Sequence, residues 1–178
     1  MIRTYFGPMG AKKTKTLLDL RDEVYFKERV LVFSPVKDDR FGIGKIKDRD
    51  RKRKKVDAIP IEDIFDIENH LKRGTKYIFI DEVNFFESEE KLDKGIDLYE
   101  LEKRRYESMR LILKLSLEKR INFNMFGLNL TAEMIPYGLM PAALAYADER
   151  KELFAECAEC GDSHAKFTYY IPYEKDTL

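Results

Sequence analysis

The sequence predicts an α/β fold in which helices flank a mainly parallel β-sheet. Two observations support this prediction: short apolar runs of strand length alternate with segments of helical period, and polar loops follow several of the apolar runs. A chain of 178 residues with 44% hydrophobic residues can enclose one sizeable core. Because no internal repeat or Gly/Ser linker divides the chain, we expect one globular unit.

The first two predicted strands enclose a glycine-containing loop and a helix. IRTYF has the β-rich composition of a strand and ends at Gly7. TKTLLDLRDEVYFKE spaces four of its apolar residues for a helix, at Leu17, Leu18, Val24 and Tyr25. RVLVFSPV then predicts a buried strand, because it is apolar and rich in β-branched and aromatic residues.

The remaining elements continue the alternation. Residues 45–74 begin with a charged half, which predicts an exposed, mobile loop, and end with a short strand and a helix. KYIFIDE predicts a buried strand, and the stretch from Leu98 onward predicts a long amphipathic helix. INFNMFGLN predicts a strand, PYGLMPAALAYADERKE a helix, and LFAEC a final strand.

The loop after the first strand matches a phosphate-binding pattern except at one position. In G-x-x-x-x-G-K-[ST], backbone N–H groups surround phosphates, the lysine adds positive charge and the hydroxyl coordinates Mg²⁺. Lys12 stands where the second glycine belongs, which costs about 1 kcal/mol if its backbone is left-handed. We therefore expect weakened ATP binding, unless the Lys12 ammonium itself contacts a phosphate. The predicted phosphate-binding residues are Gly7, Pro8, Met9, Gly10, Ala11, Lys12, Lys13 and Thr14.

Carboxylates follow two other predicted strands at the same edge of the sheet, where ligands bind in parallel folds. Asp81 is predicted to hold Mg²⁺ directly or through water, and Glu82 to accept a proton from a substrate hydroxyl. Two solvated acids at a strand end are the alternative. In KDDRF, Asp38 could support the metal and Arg40 could bind phosphate oxygens, although a surface salt bridge is the commoner arrangement.

The charge balance argues against general binding to nucleic acid or membrane. Basic and acidic residues number 33 each, and no apolar run is long enough to span a bilayer. The run KIKDRDRKRKK could neutralise nucleic-acid phosphates, but it lacks aromatic residues and contains Asp48 and Asp50, so we favour a solvated loop. We expect a cytoplasmic protein.

The two cysteines form a C-x-x-C pair at Cys157 and Cys160, which in a reducing compartment indicates metal or redox chemistry. With His164 they supply at most three ligands for Zn²⁺. Two free cysteines and a surface histidine are the alternative.

Taken together, these motifs resemble the thymidine kinases of the cellular type, a P-loop family that ends in a zinc-holding lasso. The matching pieces follow the family order over most of residues 2–170: GPM with KT, KDDRF, FIDEVNFF, FGLN with PYG, LAYADERKELFAEC, and CAECG followed by AKFT. The resemblance implies a P-loop NTPase-like α/β domain over residues 1–152 and a shortened zinc-ribbon or lasso segment over 153–178. It also implies a homo-oligomer, either a dimer or a tetramer.

The resemblance implies transfer of the ATP γ-phosphoryl group to the 5′-hydroxyl of thymidine or a related pyrimidine deoxynucleoside, with Glu82 as the base. Four residues would hold the ATP phosphates and Mg²⁺ or assist them: Lys13, Thr14, Asp38 and Arg40. Three would line the pocket for the thymine ring, although core packing is the alternative for them: Met9, Phe85 and Leu128.

Several departures from the family leave two rival functions open. Besides Lys12, an expected aromatic residue is Ala132, the lasso lacks its second pair of metal ligands, and the segment from Phe86 to Gly127 is longer than usual. A pseudo-kinase acting as a binding or structural subunit is one rival, and a nucleic-acid-binding ATPase that uses the basic run is the other.

Overall fold

The computed structural model describes residues 1–38, 42–47 and 55–169. Six of the strands in this part of the chain form one sheet, in which every neighbouring pair is parallel and the order is β5-β2-β6-β7-β1-β8. The strands are β1 (Ile2–Phe6), β2 (Val30–Pro35), β3 (Lys45–Lys47), β4 (Lys55–Asp57), β5 (Ile59–Ile61), β6 (Tyr77–Ile80), β7 (Asn122–Gly127) and β8 (Glu149–Glu152). The predicted α/β class is thus confirmed.

Both faces of the sheet are covered. The helices are α1 (Lys13–Glu23), α2 (Ile67–His70), α3 (Leu98–Glu118) and α4 (Met140–Tyr146). Helices α2, α3 and α4 contribute to the larger apolar cluster on one face, while α1 and the β3–β4 pair contribute to a smaller cluster on the other. In β6, Ile78 and Ile80 belong to the larger cluster and Phe79 to the smaller one, which explains why the strand is apolar throughout.

Helix α1 ends earlier than predicted. It stops at Glu23, so Val24 and Tyr25 lie outside it, and Tyr25 is exposed. The Lys27 ammonium donates to the carbonyl oxygens of Arg21 and Asp22, at 2.6 and 2.7 Å. The Arg21 carbonyl also accepts from the Val24 N–H at 3.3 Å, and from this capped helix end the chain turns towards β2.

Two strand predictions need correction. The final strand was expected at LFAEC after a helix over PYGLMPAALAYADERKE. The helix α4 ends at Tyr146, and β8 lies at Glu149–Glu152, inside the predicted helix, where it pairs with β1. The charged stretch expected to be a loop contains β3 and β4, which pair antiparallel from Lys45↔Asp57 to Lys47↔Lys55. In both places main-chain hydrogen bonds form the strands, and most of the side chains are exposed. The apolar pattern therefore does not predict these strands.

The long amphipathic helix is confirmed as α3. Asp97 caps it by accepting a hydrogen bond from the Glu100 N–H at 2.8 Å. Neither α3 nor any other helix of the described ranges combines the length and the apolar character that crossing a membrane requires.

Candidate active site

The glycine-containing loop joins β1 to α1 at the carboxyl edge of the sheet. Gly7 lies so close to the next segment that a Cβ atom placed on it would be 2.0 Å from the Leu153 carbonyl oxygen. Gly10 has a φ of 80°, in the left-handed region that glycine adopts easily. Both glycines are therefore required by the shape of this loop.

Lys12 has a left-handed backbone, the conformation in which a side chain is unfavourable. Its φ of 59° and ψ of 29° are left-handed, at the residue immediately before α1. A side chain in this conformation costs about 1 kcal/mol relative to glycine. The loop thus retains the backbone shape that suits glycine although glycine is absent.

The Lys13 side chain is almost buried and folds back on its own loop. Its ammonium donates to the carbonyl oxygens of Gly7 at 3.0 Å and Pro8 at 2.7 Å. Thr14 follows it in the first turn of α1 and is half-buried. The N-terminus of this 11-residue helix and the Lys13 ammonium together favour a negative group here.

Two buried carboxylates follow β6 on the same edge. Asp81 is 4% exposed and Glu82 is 8% exposed, so the alternative of two solvated acids is wrong. The Asp81 N–H donates to the Phe33 carbonyl at 3.0 Å, which fixes it beside β2. Glu82 is left-handed, with φ 48° and ψ 46°, and begins the short 3-10 turn Val83–Phe85.

Asp38 also lies at this edge, in the turn after β2, where its N–H donates to the Pro35 carbonyl at 3.0 Å. Mg²⁺ is usually held by one or two carboxylates together with substrate phosphates and water. Thr14, Asp38 and Asp81 supply oxygen donors of that kind and fit this ion. The predicted phosphate ligand Arg40 lies outside the described residues.

The loops after β6 and β7 meet beside these carboxylates. Asn84 is fully buried, and its side-chain oxygen accepts a hydrogen bond from the Leu128 N–H at 2.9 Å. The rings of Phe85 and Tyr137 meet edge to face, with centres 5.9 Å apart. Phe85 and Leu128 are half-buried and Met9 is 49% exposed, so none of the three is a fully buried core residue.

Sequence reasoning missed Asn84 and Tyr137, although both lie inside the motifs FIDEVNFF and PYG. Burial raises the pKa of the Tyr137 phenol, the Glu90 charge raises it further, and the Asn84 amide opposes them. A Cβ atom on Gly138 would lie 1.9 Å from the Asn84 carbonyl oxygen. The glycine of PYG is therefore needed for this close contact between the two loops.

Comparison with known proteins agrees with this architecture. The family described as "Thymidine kinase" matches residues 1–178. The chain belongs to the thymidine kinase family. A protein named "Thymidine kinase" from Pseudothermotoga lettingae is 27% identical over 165 residues, which are 92% of this chain and 77% of that protein. Thymidine kinases are transferases that use ATP and Mg²⁺, so the family membership supports an enzyme, a kinase.

The last described segment of this thymidine kinase family member contacts the glycine-containing loop between β1 and α1. We call this loop the phosphate loop after its predicted role. The Met9 N–H donates to the Thr168 hydroxyl at 2.9 Å. An isolated bridge between Ala155 and Ala165 turns the chain back towards this position. A backbone N–H of the loop is thus held by a residue that lies far along the chain.

The predicted zinc ligands do not assemble. No three His, Cys, Asp or Glu side chains in the described part of the chain are grouped as a metal site. Zinc is therefore not shown at Cys157, Cys160 and His164, and this set stays a prediction. The His164 ring centre lies 5.3 Å from that of Phe154, and its Nδ1 is 3.0 Å from the Ser163 Oγ. The imidazole interacts with these neighbours, and we derive no role for zinc.

The two cysteines share a tight turn. The Cys157 N–H donates to the Asp162 carbonyl at 2.8 Å, and the Cys157 carbonyl accepts from the Gly161 N–H at 2.9 Å. Hydrogen bonds from the backbone of Cys160 and then Glu159 hold the pKa of the Cys157 thiol below its ordinary value. Two thiols supply only half of a tetrahedral zinc site.

Proposed function

We propose that this protein transfers the γ-phosphoryl group of ATP to the 5′-hydroxyl of thymidine or a related pyrimidine deoxynucleoside. The observation that carries the proposal is the buried Glu82, which follows β6 at the sheet edge that also holds the phosphate loop. Phe85 lies three residues further on and contacts Tyr137. A base beside an aromatic pocket suits an acceptor that has a ring and a hydroxyl.

In this mechanism the side chains position the reactants and stabilise charge. Lys13 would exchange the carbonyls of Gly7 and Pro8 for phosphate oxygens, and Arg40 would bind the transferred group. When bound, Mg²⁺ neutralises charge on the phosphates; Thr14, Asp38 and Asp81 would hold it. Glu82 would take the proton of the attacking hydroxyl.

The nucleoside ring would bind between Met9, Phe85 and Leu128. Asn84 supports this pocket by holding the Leu128 N–H, and Tyr137 supports Phe85. Ala132 supplies no ring for stacking, so we expect the base to be held by fewer aromatic contacts than is usual in the family.

A pseudo-kinase is the second candidate, and the left-handed Lys12 favours it. To bind phosphate, the Lys13 ammonium must also give up its hydrogen bonds to two carbonyls. The Met9 N–H must likewise give up the Thr168 hydroxyl if the Met9 N–H is to bind phosphate. Against it, polar side chains suited to catalysis lie along one sheet edge. For the nucleic-acid-binding ATPase, the central part of the basic run, residues 48–54, lies outside the described residues.

Three further features stay predictions: the homo-oligomer, the cytoplasmic location, and the division into residues 1–152 and 153–178. Size-exclusion chromatography with light scattering tests the first of them.

The Glu82→Gln variant tests the proposed function. We expect the wild-type protein with Mg-ATP and radiolabelled thymidine to form the 5′-monophosphate, and the variant to lose at least about 100-fold in kcat because the amide cannot accept the proton. ATP affinity, measured by calorimetry, should stay nearly unchanged. Glu68→Gln is the matched control, since Glu68 is an exposed carboxylate on α2.

Each result has a distinct meaning. Strong phosphorylation by Glu82→Gln would show that Glu82 is not the base. Absence of product from the wild-type protein with ATP still bound would favour the pseudo-kinase. Stimulation of ATP hydrolysis by DNA or RNA would favour the nucleic-acid-binding ATPase.

A further inference from the structure

An ion cluster around one buried carboxylate joins α3 to the loop that follows β6. Its centre is Glu87, whose side chain is 0% exposed and whose backbone is left-handed with a φ of 47°. The cluster lies at the start of residues 87–97, which connect this loop to α3. Glu87 lies five positions after Glu82 in the chain.

Two cations hold the Glu87 carboxylate. Its Oε2 accepts from the Lys91 ammonium at 2.7 Å and from the Arg104 Nε at 2.9 Å, and its Oε1 accepts from the Arg104 Nη2 at 3.3 Å. The neighbouring Arg105 Nε donates to the Glu87 carbonyl oxygen at 3.0 Å. Successive residues of α3 thus bind both the side chain and the backbone of Glu87.

Arg104 also connects this loop to the region after β5. Its Nη2 pairs with Asp63, which caps the 3-10 turn Ile64–Asp66 by accepting from the Phe65 N–H at 3.1 Å. The hydrogen bond to Glu87 is the largest of the effects that raise the pKa of Arg104. One guanidinium therefore holds two carboxylates from different loops.

A fully buried carboxylate is stable only with its partners in place. The loop from Asp81 to Glu87 is fixed at its start by the bond from the Asp81 N–H to β2 and in its middle by the Asn84 backbone against Gly138. At its other end Phe86 is buried in the larger apolar cluster, and Glu87 adds the ion pairs to α3. Removal of the Arg104 guanidinium would leave the carboxylate with Lys91, which is partly exposed.

We propose that Arg104 is a positioning residue: through Glu87 it fixes the loop that carries Glu82 and so sets the rate of phosphoryl transfer. This inference rests on the proposed function, in which Glu82 is the base. Arg104 acts on the loop after β6, whereas the phosphate loop follows β1. Its loss should therefore affect turnover more than ATP binding.

The test compares Arg104→Leu with Arg104→Lys. The lysine variant keeps the positive charge but cannot make the paired hydrogen bonds of the guanidinium. Arg110→Leu is the matched control, because Arg110 is exposed on the same helix and lies 5.5 Å from the Tyr106 ring centre. Steady-state kinetics would give kcat and the KM values for ATP and thymidine. Hydrogen exchange would follow the amides of residues 81–88 and, separately, those of residues 7–14.

For Arg104→Leu we expect kcat to fall about 10- to 100-fold while the KM for ATP changes less than about threefold. Exchange should rise about tenfold in residues 81–88 and stay unchanged in residues 7–14. Arg104→Lys should recover part of kcat, and Arg110→Leu should match the wild type. Unchanged kcat in Arg104→Leu, or exchange that rises equally in both segments, would overturn the proposal.

The exchange measurement separates this inference from the proposed function. If the wild-type protein phosphorylates no nucleoside, the proposed function fails and, with it, the role in turnover. Hydrogen exchange still tests whether Arg104 fixes the loop. Faster exchange confined to residues 81–88 in Arg104→Leu supports this role, and unchanged exchange overturns it.

Discussion

At the residue scale, Lys12 shows how a motif can lose its usual residue and keep its shape. Gly7 and Gly10 of this loop have positive φ angles, and Lys12 adopts left-handed angles in the same loop. The strained Lys12 backbone therefore lowers the free energy of unfolding of the protein. This cost can be measured separately from any contact that the ammonium makes with ATP.

Comparison of Lys12→Gly with Lys12→Ala isolates this backbone cost. Both variants remove the ammonium, but only glycine adopts the left-handed conformation easily, so Lys12→Gly should be more stable by about 1 kcal/mol. Urea unfolding of the two variants checks the difference. Equal free energies of unfolding would contradict a left-handed backbone at this position.

Single residues were predicted best where a motif marks them. Lys13, Asp81 and Glu82 were singled out because glycine spacing or a strand end indicates their chemistry, although their roles stay predictions. Asn84 and Glu87 were missed because their importance depends on contacts with Leu128 and with α3, which no short pattern encodes. Long-range pairing of this kind is visible only in the folded chain.

At the element scale, the phosphate loop is fixed by the chain that follows β8. The Leu153 N–H donates to the Phe6 carbonyl at 2.7 Å, and the Leu153 carbonyl lies against Gly7. No side chain fits at Gly7 without moving one of these backbones. The position of the loop thus depends on a segment far away in the sequence.

Gly7→Ala should lower the free energy of unfolding by roughly 3 kcal/mol, because its methyl group would overlap the Leu153 carbonyl. Gly74→Ala is the control: Gly74 has a φ of 93° but nothing lies within 4 Å of an added Cβ, so we expect about 1 kcal/mol. Thermal and urea unfolding check both values. Similar losses in the two variants would contradict the close approach at Gly7.

Elements were predictable in proportion to their burial. The strands β1, β2, β6 and β7 and the helix α3 have apolar faces that pack in the two clusters, and the apolar pattern indicated each of them. By contrast, β8 is an exposed edge strand of four charged residues, and β3 and β4 are short. Strand β8 is held by main-chain hydrogen bonds, which leave little trace in composition. Strands β3 and β4 each bury one residue in the smaller cluster, Ile46 and Val56, which is too short a pattern to predict a strand.

At the scale of the whole molecule, the buried Tyr5 and the half-buried Tyr137 should make stability depend on pH in the alkaline range. Burial raises the pKa of Tyr5 and of Tyr137 above the ordinary value of 10.0. The unfolded chain therefore releases these protons at a lower pH than the folded protein, and deprotonation favours unfolding. Below about pH 10 both states keep the protons and the two groups contribute no pH dependence.

We expect the free energy of unfolding to fall as pH rises above about 10, and to fall less steeply in the Tyr5→Phe, Tyr137→Phe double variant. Urea unfolding between pH 8 and about 11 measures both slopes, and the difference between them removes the lysine contribution that both proteins share. Identical slopes would contradict the raised pKa values.

The order of the strands also determines when the loop between β1 and α1 can be fixed in the sheet during synthesis. The strand that leads into the phosphate loop, β1, is synthesised before the strands that pair with it, at Phe123 and Glu149 and onward. Meanwhile β2, β5 and β6 can already pair, as Val30↔Tyr77 and Phe33↔Ile59. A nascent chain that stalls before β7 can therefore hold half of the sheet while β1 is still unpaired, and a strand made before β2, β5 and β6 joins the sheet after them.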